Sequence, residues 1–287
     1  MTTVLPEPLR VLPPVRRPEP MLVGLRDAVS SRSAVQWAAS RAVAQGVPLT
    51  LLHALPAPEL VPPGTSYGDV VARGRTLVNQ EAGLLARSHP GLRISASLHC
   101  GDVVDALLGL SESVPMIVLG TDRRNPAGGE FTGAVAVEVA LNATAPVAVV
   151  PASYAYTSMT DHSRGGVVAA VDGSEVSRAA LVLAAGEASR TRSSLTVVTV
   201  LGVTSGPMAV SASVMLVDVR NLYPGLPVSW IVDDEHRPDQ ALHLYGTGAD
   251  LLVIGRHGAG ARSARSLGSV TRTLLLEPPC PTVVVSL

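Results

Sequence analysis

The sequence predicts an α/β chain in which two doubly wound parallel sheets follow one another in tandem. Three observations lead there. Apolar runs of strand length alternate with segments of helical periodicity, which is the pattern of parallel strands covered by helices on both faces. The chain repeats itself near half length. Its 287 residues also suit two domains, at about 100 to 200 residues each.

The repeat sets the order of the elements. HPGLRISASLHCGDVVDALLGLSESVPMIVLG, ending at Gly120, aligns with YPGLPVSWIVDDEHRPDQALHLYGTGADLLVIG, ending at Gly255, an offset of 135. Upstream, GLRDAVSSRSAVQWAASRA from Gly24 matches AVDGSEVSRAALVLAAGEA from Ala170 and sets Arg26 opposite Asp172, an offset of 146. The second copy is therefore 11 residues shorter between these points, and the loss falls in the helix after its second strand. In the second copy GGVVAAVDG reads as a short buried strand and SEVSRAALVLAAGEASR as the helix after it. SLTVVTVLG and LPVSWIV are strands, HRPDQALHLYGTG a helix, ADLLVIG a strand, SVTRTLLLE a helix and CPTVVVSL the last strand. The first copy repeats this order. In its longer helix Val70, Val71, Leu77, Val78, Leu84 and Leu85 recur every seven residues, which places them on one face. Residues 1–20 hold six prolines and read as a flexible tail, and the polar stretch 152–165 as a linker. The domains are thus 21–151 and 166–287.

Composition removes several classes of function. With 47% hydrophobic and 16% charged residues the chain has ample material for buried cores, but at 3% aromatic it lacks a stacking platform for nucleic-acid bases. A formal charge of -1 without a long basic stretch argues against nucleic acid or an anionic membrane as partner. All 22 basic residues are Arg, which excludes a Walker lysine, a Schiff base and a lysine general base. No apolar run reaches the roughly 18 residues of a bilayer span and the N-terminus lacks the apolar centre of a signal peptide, so the expected location is cytoplasmic. Cys100 and Cys280 form no metal-spaced pair, in keeping with a reducing compartment.

Ligands of open parallel sheets bind beyond the carboxyl ends of the strands. Asp172 follows the first strand of the second copy. Its carboxylate can accept hydrogen bonds from a ribose hydroxyl or a base amine, or can start a turn and cap the next helix, and position alone leaves both readings open. The second place is the loop from Gly255 through Arg256, His257 and Gly258 to Gly268 and Ser269, between a strand and a helix. Its glycines let backbone N–H groups approach anionic oxygens, and the helix start offers unpaired donors and the positive end of a dipole. Ser269 can cap that helix or give its hydroxyl to a phosphate or its magnesium. Arg256, Arg262 and Arg265 add positive charge. Neither the P-loop pattern nor G-x-G-x-x-G is present.

The spacing Gly255, two residues, Gly258, nine residues, Gly268-Ser269, with VDGSEVSRAAL and the closing CPTVVVSL, resembles the universal stress protein family over residues 21–287 as two tandem copies. The resemblance implies the adenine nucleotide alpha hydrolase-like fold and ATP as ligand, with Mg2+ as its companion. Asp172, with Ala170 before it, would then meet the adenine or ribose side, and Val200 would line the adenine pocket. Gly255, Gly258, Gly268 and Ser269 would hold ribose and phosphates, with Arg256, His257 and Val270 beside them. It further implies that PVAVV of the first copy and PTVVV of the second pair within one chain, as a built-in pseudo-dimer, and that whole chains form a homodimer. The first copy departs from the pattern: Arg26 replaces the Asp, Asp27 the next Gly, Arg123 the second loop glycine and Ala134 the hydroxyl residue, while Gly120 and Gly133 keep their places. It is expected to be a structural partner without ATP.

The remaining candidates read as structural. The seven histidines show no ligand spacing, and His257 is expected to point to solvent. Asp233-Asp234-Glu235 reads as a solvated acidic loop and Cys280 as a buried small apolar residue. With no evident base to orient water, ATP is expected to act as a ligand for a regulatory module with protein partners, a ligand-free scaffold or a slow ATPase being the alternatives.

Overall fold

The computed structural model describes residues 18–121, 134–154, 165–201, 206–258 and 267–287. Most of the tail and linker, and with them Arg123, Gly133, Arg262 and Arg265, lie outside the described residues. The first copy runs β1 (Met21–Gly24), α1 (Arg32–Gln45), β2 (Leu49–Leu55), α2 (Tyr67–Ser88), β3 (Ile94–Cys100), α3 (Val103–Leu110), β4 (Ile117–Thr121), α4 (Ala134–Asn142) and β5 (Val147–Pro151). The second runs β6 (Val167–Ala170), α5 (Glu175–Thr191), β7 (Leu195–Val200), α6 (Gly206–Leu222), β8 (Val228–Asp233), α7 (Pro238–Gly246), β9 (Leu251–Gly255), α8 (Ser269–Leu276) and β10 (Thr282–Val285).

All ten strands form one sheet in the order β3-β2-β1-β4-β5-β10-β9-β6-β7-β8. Within each copy neighbouring strands are parallel, and the two copies meet where β10 pairs antiparallel with β5, Val283 opposite Ala148. The expected pairing of PVAVV with PTVVV is therefore present inside one chain.

Alternation along the strands builds the core on both faces. Met21, Val23, Val167, Ala169, Leu251 and Val253 face α1, α2, α5 and α6, whereas Leu22, Val168, Leu252 and Ile254 face α3, α4, α7 and α8. Ala and Val dominate the packing, and both apolar clusters run across the joint without a break. In α2 the expected face is only partly covered: Val78 and Leu85 are buried, but Leu84 is 49% exposed, since a period of seven drifts off a helix of 3.6 residues per turn.

Polar groups also cross between the copies. Arg41 and Glu187 are both buried and lie 3.4 Å apart, Gln45 Nε2 donates to Glu187 at 3.0 Å, and the Arg41 guanidinium stacks 3.8 Å over Trp37. Burial draws the Arg41 guanidinium below its ordinary pKa, with the Glu187 charge opposing that shift.

Candidate functional site

At the carboxyl ends of β6, β7 and β9 a cavity of about 490 Å³ opens between α5, α7 and α8. Its floor is apolar, with Val171, Val198, Val200 and Ile254, because parallel strands buried on both faces carry Val and Ile to their ends. Among the described residues, every named candidate of the second copy except Arg256 lines it: Ala170, Asp172, Val200, Gly255, His257, Gly258, Gly268, Ser269 and Val270.

Asp172 follows β6 in the turn before α5 and combines the two readings that position left open. The backbone N–H and hydroxyl of Ser174 donate to its Oδ1 at 3.1 and 2.6 Å, and Ser174 in turn caps α5 by accepting from the Ser177 N–H. Its Oδ2 faces Gly258, where an added Cβ would lie 2.5 Å away. A side chain at position 258 and the carboxylate of Asp172 cannot share that space, so glycine here is a steric requirement. Gly255 is tight for another reason, since a Cβ would lie 2.9 Å from Val176 Cγ1 in the core.

The loop is bound to its surroundings by backbone. Arg256 N–H donates to Val285 C=O at 2.8 Å, Arg256 C=O accepts from Gly268 N–H at 2.9 Å, and Thr271 Oγ1 donates to Gly255 C=O at 3.0 Å. These bonds bring the start of α8, the end at which a helix presents its N–H donors, to the cavity mouth.

Three expectations need correction, and one open reading closes. Arg256 does not lend its charge to the cavity: its guanidinium donates to Leu141 C=O at 2.8 Å, in the other copy. The antiparallel joint makes that reach possible. His257 is half-buried rather than turned to solvent: its Nδ1 is buried with no hydrogen-bond partner among the described residues, and the residue lines the cavity. Of the two readings left open for Ser269, capping does not hold: Gly268 occupies the cap position and Ser269 is the first helical residue, exposed at the mouth. Asp233 is not a solvated loop residue: it ends β8, is 5% exposed, and accepts from Glu235 N–H, His236 N–H, His236 Nδ1 and Tyr245 OH. The His236 N–H bond, outweighing desolvation with help from the His236 ring and Tyr245, holds its carboxyl below the usual range.

Sequence reasoning missed the wall that α7 supplies, Pro238 and Leu242, and it missed Ser177 in the lining. No motif marks the α7 pair, because apolar lining carries no spacing of its own. Thr271 had a faint signal as a polar residue in the first turn of α8.

In the first copy the equivalent turn is closed on itself. Asp27 accepts from Val29 N–H, Ser30 N–H and Ser30 Oγ at 2.9, 2.8 and 2.5 Å, and α1 starts at Arg32. Partial burial works against the Asp27 charge, yet these donors and Arg26 hold its carboxyl below the ordinary range. Arg26 itself is exposed. Among the described residues no group of three or more His, Cys, Asp or Glu comes together to hold a metal, and no helix is long and apolar enough to cross a membrane.

Comparison with known proteins bears on the same residues. The model of the universal stress protein family matches residues 18–151 and 231–286, the second stretch including the loop glycines. The chain is 28% identical over 291 residues to universal stress protein Rv2005c of Mycobacterium tuberculosis, covering 94% of this chain and 97% of that one. It is 27% identical over 288 residues to a universal stress protein of Mycolicibacterium smegmatis, covering 92% and 96%. A universal stress protein of Archaeoglobus fulgidus has a solved structure that superimposes with a TM-score of 0.68 at 18% identity, over 92% of this chain and 96% of that one.

Proposed function

The chain belongs to the universal stress protein family, and from that premise we propose that its C-terminal half, residues 166–287, binds an adenine nucleotide, with ATP as the ligand and residues 21–151 as a degenerate partner domain. The observation that carries this reading is the contact between Asp172 and Gly258: a backbone stripped of its side chain is held against a carboxylate at the rim of an apolar cavity.

The residues present fit such a ligand. Val171, Val198, Val200 and Leu242 offer an apolar slot for the base, and Asp172 an acceptor for its amine or for ribose. Gly255, Gly258, Gly268 and Ser269 would face ribose and phosphates, with the start of α8 giving N–H donors. Mg2+ would enter with the phosphates. The nucleotide serves as a ligand that shifts conformation or partner choice through differential affinity, in a cytoplasmic protein that forms homodimers.

The test is calorimetric titration of nucleotide-free protein with ATP, together with identification of any nucleotide released when the purified chain is denatured. The expected result is about one site per chain, lost in Gly258→Arg, with no ATP turnover above that variant. Absence of both heat and released nucleotide would refute it, and two sites per chain would assign a working site to the first copy as well.

A further inference from the structure

Arg256 stands between the two glycines that frame the cavity, yet among the described residues its side-chain hydrogen bonds go to the other half of the chain. Its guanidinium donates to Leu141 C=O at 2.8 Å and lies 3.5 Å from Ala143 C=O. These carbonyls lie at the end of α4 and one residue beyond it, where a helix leaves its last acceptors without partners of its own. The backbone of the same residue is bound to β10 through Val285 and to the cap of α8 through Gly268. One residue thus fastens three things together: the cavity loop, the strand at the joint and the final turn of a helix in the N-terminal half. A second anchor, Ser286 Oγ, donates to Ala143 C=O at 3.1 Å and Thr144 C=O at 3.0 Å from outside the cavity.

Resting on the nucleotide reading above, we infer that Arg256 is a positioning residue that carries occupancy of the C-terminal cavity to the end of α4 in the N-terminal half. A nucleotide that fixes residues 255–258 also fixes the Arg256 backbone, and with it the guanidinium that closes the last turn of α4. Binding energy is passed on as restricted motion, which amide exchange reads directly. Coupling of this kind is reciprocal, so releasing the clamp weakens nucleotide binding by the same factor.

The experiment is hydrogen exchange of the full chain with and without ATP, each protein saturated according to its own titration. The readout is the segment 138–144, where the Ala143 N–H closes the last turn on Val139 C=O at 2.8 Å. In the unaltered protein ATP slows exchange there about five-fold or more, the lower end of measured couplings. In Arg256→Gln that slowing disappears while ATP still binds, more weakly. In Ser286→Ala exchange is faster throughout, but ATP still slows it. The inference is overturned if the unaltered protein binds ATP without slowing exchange in 138–144, if Arg256→Gln keeps the slowing, or if it loses all binding, which would put Arg256 on the nucleotide. An unaltered chain that gives no titration signal defeats the nucleotide reading first and the coupling with it.

Discussion

Replacing Gly258 by alanine is the smallest change that tests the site. The added Cβ would lie 2.5 Å from Asp172 Oδ2, closer than any real Cβ contact, so the carboxylate must move. It cannot rotate freely, because Oδ1 holds the Ser174 N–H and hydroxyl at 3.1 and 2.6 Å. Movement therefore sacrifices at least one hydrogen bond to a charged group, worth about 1.5–3 kcal/mol, either within the turn or to the ligand. A loss of about 2 kcal/mol from binding corresponds to a roughly 30-fold weaker affinity. Because the loop is at the rim, the apo protein should unfold within about 4 °C of the unaltered chain, the shift expected of about 1 kcal/mol in a protein of this size. Gly255→Ala provides the contrast: its Cβ meets Val176 in the core, so it should lower the unfolding temperature more than Gly258→Ala does. ATP titration and thermal unfolding of both variants decide the matter. Unchanged affinity in Gly258→Ala would refute the claim that the close approach of loop and carboxylate makes the site.

Other perturbations probe the frame. Glu187→Ala leaves Arg41 buried beside Trp37 without its counter-charge and should destabilise the chain by about 3–5 kcal/mol, whereas Arg41→Met with Glu187→Leu should recover most of that loss in denaturant titrations. Asp233→Asn removes a carboxylate whose pKa is lowered by folding, so the stability it contributes is present at neutral pH and lost as pH falls through the ordinary carboxylate range and then through the lowered pKa. The unfolding-temperature gap between the two proteins should accordingly be widest near neutrality and close in acid. In thiol titration with an aromatic disulfide, exposed Cys100 should react in the native protein, while Cys280, buried and with its thiol pushed up to about 12, should react only after denaturation.

The repeat, the strand and helix order and the glycine spacing were legible because each leaves a periodic or positional mark in the chain. Asp172 was legible as a residue but not in its double use, since one oxygen bonds to the next turn and the other faces a glycine far along the sequence. The target of Arg256 was not legible at all. Its bond to Leu141 spans 115 residues and exists only because β5 and β10 run antiparallel, so a residue that reads as a phosphate ligand is drawn into the joint. Asp233 was misread for a related reason: an acidic triplet after a strand looks solvated until Tyr245, a helix away, places its hydroxyl on the first carboxylate.

The antiparallel joint between β5 and β10 has one more consequence. Strands of the two copies point in opposite directions, so their carboxyl ends, and any loops that follow them, emerge at opposite edges of the sheet. An assembly of two identical chains joined this way would carry two identical sites, and any mutation would strike both. Joining the copies in one polypeptide lifts that restriction: Arg26 and Asp27 stand where the second copy has Asp172 and Gly173, and neither change touches the cavity at the far edge. A tandem chain can thus keep one site under selection for its ligand while the other drifts to a different use, with the shared sheet holding both in place.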